Sequence, residues 1–367
     1  MKILSIFGTR PEAIKMAPVV RELEKTKGID SYVCVTAQHR EMLDQVLTLF
    51  NIKPDMDLNL MRPNQTLAEL TAAVFTNLDP VLEDIQPDWV LVQGDTTTVM
   101  AAALNAYYRR IRIGHVEAGL RTHNKWHPFP EEVNRRVAGV TADLHFAPTK
   151  WSRQNLLKEG VPEESIHVTG NPVIDALYYV AEEDVPSMVA DLISRLESRR
   201  LVLVTAHRRE NFGEPLKNIC AALKSIAARG DVEIVYPVHL NPNVQKPVHR
   251  LLGNIRNITL LPPLEYLPLV HLMKKSTLIL TDSGGIQEEA PAFGVPVLVL
   301  REVTERPEGV QAGTLKLVGT KRQKIINESN YLLNDPKAHS AMVQAVNPFG
   351  DGHAAKNIVE VLQAYKD

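Results

Sequence analysis

Residues 277–300 read TLILTDSGGIQEEAPAFGVPVLVL, and they set the fold class of this 367-residue chain. TLIL is a short apolar run rich in β-branched residues, the pattern of a buried strand. TDSGG is a strand-to-helix turn. IQEEAPAF begins as a helix that Pro291 kinks or ends, and GVPVLVL is the next buried strand. A turn that ends in Ser283-Gly284-Gly285 and opens a helix leaves backbone N–H groups unpaired at the positive end of the helix dipole, where phosphate is the usual occupant. The two glycines let a diphosphate approach the backbone closely. Glu288 and Glu289 sit one turn in, positioned to accept from ribose hydroxyls. A plain βα turn capped by Asp282 or Ser283 accounts for the same residues, so the local pattern leaves both open.

The same alternation runs outward in both directions. Before it, apolar runs at 2–7, 31–36, 88–93, 111–117, 144–148 and 166–170 alternate with helical patterns at 12–27, 41–50, 66–85, 97–108, 131–142 and 150–159. After a breaker at Gly170-Asn171-Pro172, strands are expected at 201–206, 233–238, 258–262, 277–282, 296–300 and 314–319, with a helix at 215–229. A further helix is expected after the polar stretch 182–187. Repeated βα units with apolar strands imply α/β architecture with parallel sheets covered on both faces. The expectation is two Rossmann-like doubly wound domains facing a central cleft, with ligands at the carboxyl ends of the strands. The boundaries are 1–170 for the first domain and 171–352 for the second. A C-terminal helix within 353–367 is expected to pack back on the first.

Composition narrows the function. Hydrophobic residues make up 44% and charged residues 23%, which fits a soluble protein with a sizeable core. The net charge of −2, with no basic run, argues against nucleic-acid or membrane-surface partners. Cys34 and Cys220 are expected as buried thiols rather than a disulfide or metal pair. No apolar stretch reaches the roughly 20 residues of a membrane span, and the N-terminal residues lack a signal-peptide pattern. A cytoplasmic enzyme is the expectation.

The loops that follow strands carry the chemistry. FGTRPEAIK (7–15) places Arg10 and Lys15 near a helix start, which suits a phosphate. No G-x-G-x-x-G occurs at any strand–helix junction, so no nicotinamide or flavin cofactor is expected. AQHREMLDQ (37–45) reads as a solvated helix start. In VQGDTTTVM (92–100), Asp95 either N-caps the helix through Thr97 or Thr98, or serves as a general acid or base. The long polar loop after 111–117 carries Glu117, Arg121, His123 and His127 and ends at Glu131; such loops are often functional. His115, inside the strand, reads as a core histidine. No H-E-x-x-H or C-x-x-C occurs, and no metal is expected. TAHRRENFGEP (205–215) groups His207 and Arg208, with His207 able to contact phosphate as an imidazolium; a surface loop with a local ion pair is the alternative. PVHLNP (237–242) holds His239, and REVTERPEG (301–309) supplies Arg306. Cations and an N–H cradle stabilise a diphosphate leaving group, and carboxylates move protons at carbon. Together they suggest a nucleotide-sugar enzyme that breaks the anomeric C–O bond.

Eight motifs then combine: FGTRPEAIKMAP (7–18), VTAQHREMLDQV (35–46), QGDTTT (93–98), GHVEAGLRT (114–122), PFPEEVNRR (128–136), TAHRREN (205–211), YPVHLNPNV (236–244) and TDSGGIQEEAP (281–291). In this order, over almost the whole chain, they resemble the bacterial non-hydrolysing UDP-N-acetylglucosamine 2-epimerase family. The resemblance implies the GT-B-like architecture of two-domain nucleotide-sugar glycosyltransferases and a homodimer. It implies reversible C2 epimerisation of UDP-GlcNAc to UDP-ManNAc through anti elimination of UDP, 2-acetamidoglucal and re-addition of UDP, without a cofactor, supplying ManNAc for cell-surface polysaccharide. Asp95, Glu117 and Glu131 match the family's essential carboxylates, and His207 its essential histidine. Arg10, Lys15, Ser283, Gly284, Gly285, Glu289 and Arg306 match its UDP-contacting positions. Leu264 and Leu269 fall in its uracil region, where relatives can have phenylalanine at Leu269. Gln38, Glu131, Arg208 and His239 match parts of an activating UDP-GlcNAc site found in some relatives, whereas Glu41 and Asn64 stand where such relatives have glutamine and arginine. A UDP-sugar glycosyltransferase of the same fold is the competing reading.

Overall fold

The computed structural model describes residues 1–36, 40–62 and 64–365, the side chains of Arg40 and Glu41 excepted; Gln38 therefore lies outside the described residues. The chain forms two compact units, Met1–Tyr178 with Phe349–Asp367, and Tyr179–Pro348.

In the first unit, strands β1 (Lys2–Phe7), β2 (Asp30–Val35), β3 (Met56–Asp57), β4 (Trp89–Gln93), β5 (Arg112–Val116), β6 (Leu144–Ala147) and β7 (Ile166–Val168) form one sheet in the order β3-β2-β1-β4-β5-β6-β7. All pairs are parallel. The central strands are buried on both faces, from Ile3 to Phe7 and from Trp89 to Gln93; helices must therefore cover both sides. Helix starts follow local chemistry. Thr9 and Glu12 make a reciprocal capping box for helix Arg10–Lys25, and Thr66 and Glu69 make another for Leu67–Ile85. The two-residue strand β3 was not expected from sequence; a run this short carries no periodicity to read.

The second unit repeats the plan. Strands β8 (Arg200–Thr205), β9 (Val232–Pro237), β10 (Ile258–Leu261), β11 (Leu278–Thr281), β12 (Val297–Val299) and β13 (Leu315–Leu317) lie in the order β10-β9-β8-β11-β12-β13, all parallel. Its core joins the strand faces to helices Glu214–Ala227, Pro242–Leu252 and Arg322–Asn334. Pro291 ends the helix Gly284–Glu289, and a 3-10 turn, Ala290–Phe293, follows. Both sheets thus have doubly wound order, with a switch point between the first and fourth strands: β1/β4 and β8/β11.

The first unit extends past the expected junction at Gly170. Asn171 N–H donates to Phe349 O at 2.7 Å, and Asp175 accepts from Ala354 N–H (3.2 Å) and Ala355 N–H (2.8 Å). These bonds fasten the front of helix Pro172–Ala181 to the returning chain, so the division falls within that helix. The C-terminal helix Ala354–Ala364 packs on Arg10–Lys25. Cys34 and Cys220 are buried free thiols, each pushed up to about 12 by burial. Among the described residues, no helix is long and apolar enough to cross a membrane.

Candidate functional site

In the first unit the candidate side chains gather at the carboxyl ends of β1, β4 and β5. Glu117 follows β5 with φ of +63°, a left-handed conformation that non-glycine residues adopt only when their surroundings impose it. Those surroundings are specific. Its carboxylate accepts from Lys15 Nζ at 2.7 and 2.8 Å, Gln93 Nε2 at 2.5 Å and Asn171 Nδ2 at 2.9 Å. Lys15, expected beside a phosphate, is here the counter-ion of Glu117.

Asp95 follows β4 and does not cap the next helix. Thr96 does, accepting from Val99 N–H. Asp95 is instead held from helix Glu131–Thr141: Arg135 donates to its carboxylate at 2.5 Å, and Asn134 Nδ2 to its backbone carbonyl at 3.0 Å. Burial raises the Asp95 pKa; Arg135 and Lys15 oppose this, and the Glu117 charge adds to it. Glu131 opens the same helix, three and four residues before Asn134 and Arg135, so it shares the face turned to Asp95. One Glu131 carboxylate oxygen, Oε2, is buried without a hydrogen-bond partner. The loop between Glu117 and Glu131 is anchored at both ends: Glu132 accepts from Thr122 N–H and His123 N–H, both at 3.0 Å, and Arg121 pairs with Glu159 at 2.8 Å. His115 is a core histidine. Its Nε2 lies 2.7 Å from Gly94 O, and burial pushes its pKa down to about 4.

Another buried carboxylate spans the β1/β4 switch point. Glu12 accepts from Gly8 N–H (3.1 Å), Thr9 N–H (2.7 Å) and Thr96 Oγ1 (2.7 Å), and burial raises its pKa. Gly8 is required there, because a Cβ would lie 2.0 Å from Thr36 Oγ1. Arg10 is the first residue of the helix this loop opens and is half-buried.

In the second unit, the loops after β8, β9 and β11 converge. Asp282, fully buried, does not cap helix Gly284–Glu289, and neither does the Ser283 side chain. Asp282 instead accepts from His207 N–H, Arg208 N–H (2.8 Å) and Asn211 Nδ2 (2.9 Å). His207 stacks on His239, with ring centroids 5.5 Å apart and 13° between planes. Burial lowers the His207 pKa; Asp282 opposes, while His239 and Arg208 reinforce. Glu210 of this loop pairs not locally but with Arg301, at 2.7 Å, after β12.

Gly284 opens its helix against the Arg306 guanidinium, which an added Cβ would meet at 3.1 Å. Arg306 is steered there by Glu288, with Nε to Oε1 at 2.7 Å. Glu288, one of the two carboxylates considered for the ribose, is thus a partner of Arg306. Glu289 is buried and takes the Tyr266 hydroxyl at 2.6 Å. Leu264 precedes, and Leu269 lies within, helix Tyr266–Lys275, both half-buried. Asn64 sits in the turn before helix Leu67–Ile85 with φ of +58°. Among the described residues, no group of three or more His, Cys, Asp or Glu side chains could hold a metal ion.

Gln93, Arg135, Asn171, Asn211 and Tyr266 were not singled out from sequence. Arg135 had a signal, its i+4 spacing from Glu131. Asn171 had none, since its partner Glu117 is far away in the chain.

Comparison with known proteins bears on this site. The family model described as UDP-N-acetylglucosamine 2-epimerase matches residues 21–363. The chain is 57% identical to a probable UDP-N-acetylglucosamine 2-epimerase of Ralstonia nicotianae, covering 99% of each. It is 54% identical to the UDP-N-acetylglucosamine 2-epimerase of Salmonella typhimurium, covering 100% of this chain and 99% of that one. Among solved structures, the UDP-GlcNAc 2-epimerase of Neisseria meningitidis bound to UDP-GlcNAc superposes with a TM-score of 0.90 at 52% identity, with both chains fully covered.

Proposed function

This chain belongs to the UDP-N-acetylglucosamine 2-epimerase family, and from that premise we propose that it interconverts UDP-GlcNAc and UDP-ManNAc by elimination and re-addition of UDP. A carboxylate removes the C2 proton. The C1–O bond breaks anti to it, and its electron pair leaves with the diphosphate oxygen. C1 and C2 become the double bond of 2-acetamidoglucal. Reprotonation of C2 on its other face, with return of UDP oxygen to C1, gives the epimer. No electrons are lost, so no redox cofactor is required.

The observation that supports this most is the carboxylate group of the first unit. Asp95 and Glu117 are close enough for one charge to raise the other's pKa, and Glu131 stands on the adjoining helix face with a buried oxygen lacking a partner. Two faces of C2 need two proton-transfer groups, or one intermediate that moves. Carboxylates with unequal environments provide an acid and a base at one pH. Lys15 and Arg135 hold Glu117 and Asp95 in place as charged partners.

The second unit is proposed to hold UDP. Gly284 and Gly285 let the diphosphate reach the helix N–H groups, and Arg306 adds charge-assisted donors. Glu289 serves the ribose, and Leu264 and Leu269 border the uracil. His207 donates to the departing diphosphate oxygen. ManNAc for a surface polysaccharide is the proposed use of the product, and a homodimer the proposed assembly. Arg208 and His239 are proposed to contribute to an activating second UDP-GlcNAc site.

Incubation with UDP-GlcNAc in D2O, without acceptor, tests the reaction. Deuterium at C2 and accumulation of UDP-ManNAc are expected; UDP-ManNAc without label, or unchanged substrate, would overturn the mechanism.

A further inference from the structure

Asp282 has a feature that the proposed chemistry above does not use. Its carboxylate is fully buried, and its partners are unevenly shared between the two oxygens. Oδ2 accepts three bonds, from His207 N–H at 2.9 Å, Arg208 N–H at 2.8 Å and Asn211 Nδ2 at 2.9 Å. Among the described residues, Oδ1 receives only a longer bond from His207 N–H, at 3.1 Å, and it faces the Nδ1 atom of the same imidazole at 3.4 Å. Oδ1 already has its donor in the His207 N–H, so the Nδ1 contact is electrostatic: a proton on Nδ1 faces the anionic oxygen favourably, whereas a lone pair there would repel it. The opposite side of the site restrains the ring as well, because His239 stacks against it and is itself oriented by Asn241 N–H donating to its Nδ1 at 3.0 Å.

We propose that Asp282 is a positioning residue for His207: it fixes the ring's orientation and the Nδ1–H tautomer, so that Nε2, on the far side of the ring, is the nitrogen presented to the leaving diphosphate. This rests on the proposed part of His207 in leaving-group departure. Asp282 also offsets the desolvation of the imidazolium. The other charged or titratable groups facing the ring, His239 and Arg208, both disfavour its charge, so Asp282 is the group that keeps the cation accessible. No proton needs to move to Asp282. Nε2–H donates to the diphosphate oxygen as the C1–O bond breaks, and the imidazolium charge is held between two anions.

The tautomer is read directly in the wild-type protein by 15N NMR of His207, identified by its loss in His207→Ala. Nδ1–H is expected for the neutral ring, and an Nε2–H tautomer would overturn the proposal without any variant having to fold. Asp282→Asn is expected to lower kcat on the order of 10²-fold, within the range of a single acid–base contribution, with KM little changed. The limb of the pH profile that needs protonated His207 should move to lower pH, because the charge that raised the His207 pKa is gone. In a His207→Ala background the same substitution should cost no further turnover. An equal loss in both backgrounds means that Asp282 acts only on the fold, and the proposal fails. If His207→Ala alone leaves turnover unchanged, the leaving-group assignment fails instead, while the tautomer still reports whether Asp282 sets the ring.

Discussion

The two units have the same strand order and opposite chemistry at the same place. In each, the loops after the first and fourth strands flank the switch point, and one buried carboxylate ties those loops together. In the first unit it is Glu12, carried on the helix after β1 and reaching Thr96 after β4. In the second it is Asp282, carried after β11 and reaching His207 and Arg208 after β8. Each unit also carries a buried threonine contact nearby, Thr36 after β2 with Thr98, and Thr205 with Thr281 at the ends of β8 and β11. Above that shared frame the units diverge. The first presents carboxylates, with Glu117 and Asp95 held by Lys15 and Arg135. The second presents donors: a histidine ring and a glycine turn beside Arg306. Topology therefore specifies where a site is, and the loop side chains specify what it does.

The sharpest way to break this division of labour is at Asp95. Asp95→Asn should reduce kcat by on the order of 10³-fold, since a proposed proton-transfer group is removed, while UDP affinity measured by calorimetry stays near wild type. Loss of UDP binding instead would mean that the carboxylate unit also holds the nucleotide.

A second test asks whether histidines in the two units do different work. His115 is 1% exposed, and its folded pKa of about 4 lies below its ordinary value of 6.5. The unfolded chain thus binds the proton more readily, so the stability contributed by neutral His115 is complete above pH 6.5 and is lost as pH falls toward 4. Asp175, raised to about 6 by burial, moves the other way: its contribution is complete below its ordinary value of 3.8 and is lost as pH rises through about 6. Only the difference between wild type and His115→Gln isolates the imidazole. Between pH 7 and pH 4, wild type should lose about 3 kcal/mol relative to the variant, in urea denaturation followed at each pH. A constant difference would show that His115 does not titrate out of step with unfolding.

The smallest effect is expected at Gly284. Gly284→Ala places a Cβ at 3.1 Å from the Arg306 guanidinium. UDP affinity should fall about tenfold, or roughly 1–2 kcal/mol, the usual scale of mild overpacking, with kcat at saturation largely kept. An unchanged Kd removes the glycine turn from the proposed diphosphate cradle.

The strands and the loops that follow them were legible because buried parallel strands are short apolar runs and βα turns are punctuated by glycine, proline and small polar residues. Helix Pro242–Leu252 was not expected, since Pro247 inside it reads as a helix breaker. At two turns the capping alternative was set aside by neighbours distant in sequence. Asp95 could have been a cap, but Thr96 takes that part, and Arg135 claims the carboxylate. Asp282 could have been a cap, but the β8 loop turns its backbone N–H groups toward it. A local pattern offers a side chain several partners; only the packed fold selects one.

The first unit is interrupted in the gene product by the second. Its sheet is encoded before residue 179, yet helix Ala354–Ala364, which packs on Arg10–Lys25 and is held by Asp175, is made some way after the second unit is complete. During synthesis the unit that appears first is thus the one that finishes last. An unbroken run, Tyr179–Pro348, can close its own core while the earlier strands still wait for that helix. Trp89, against which Tyr365 packs edge-on at 5.0 Å, remains uncovered on that side until then.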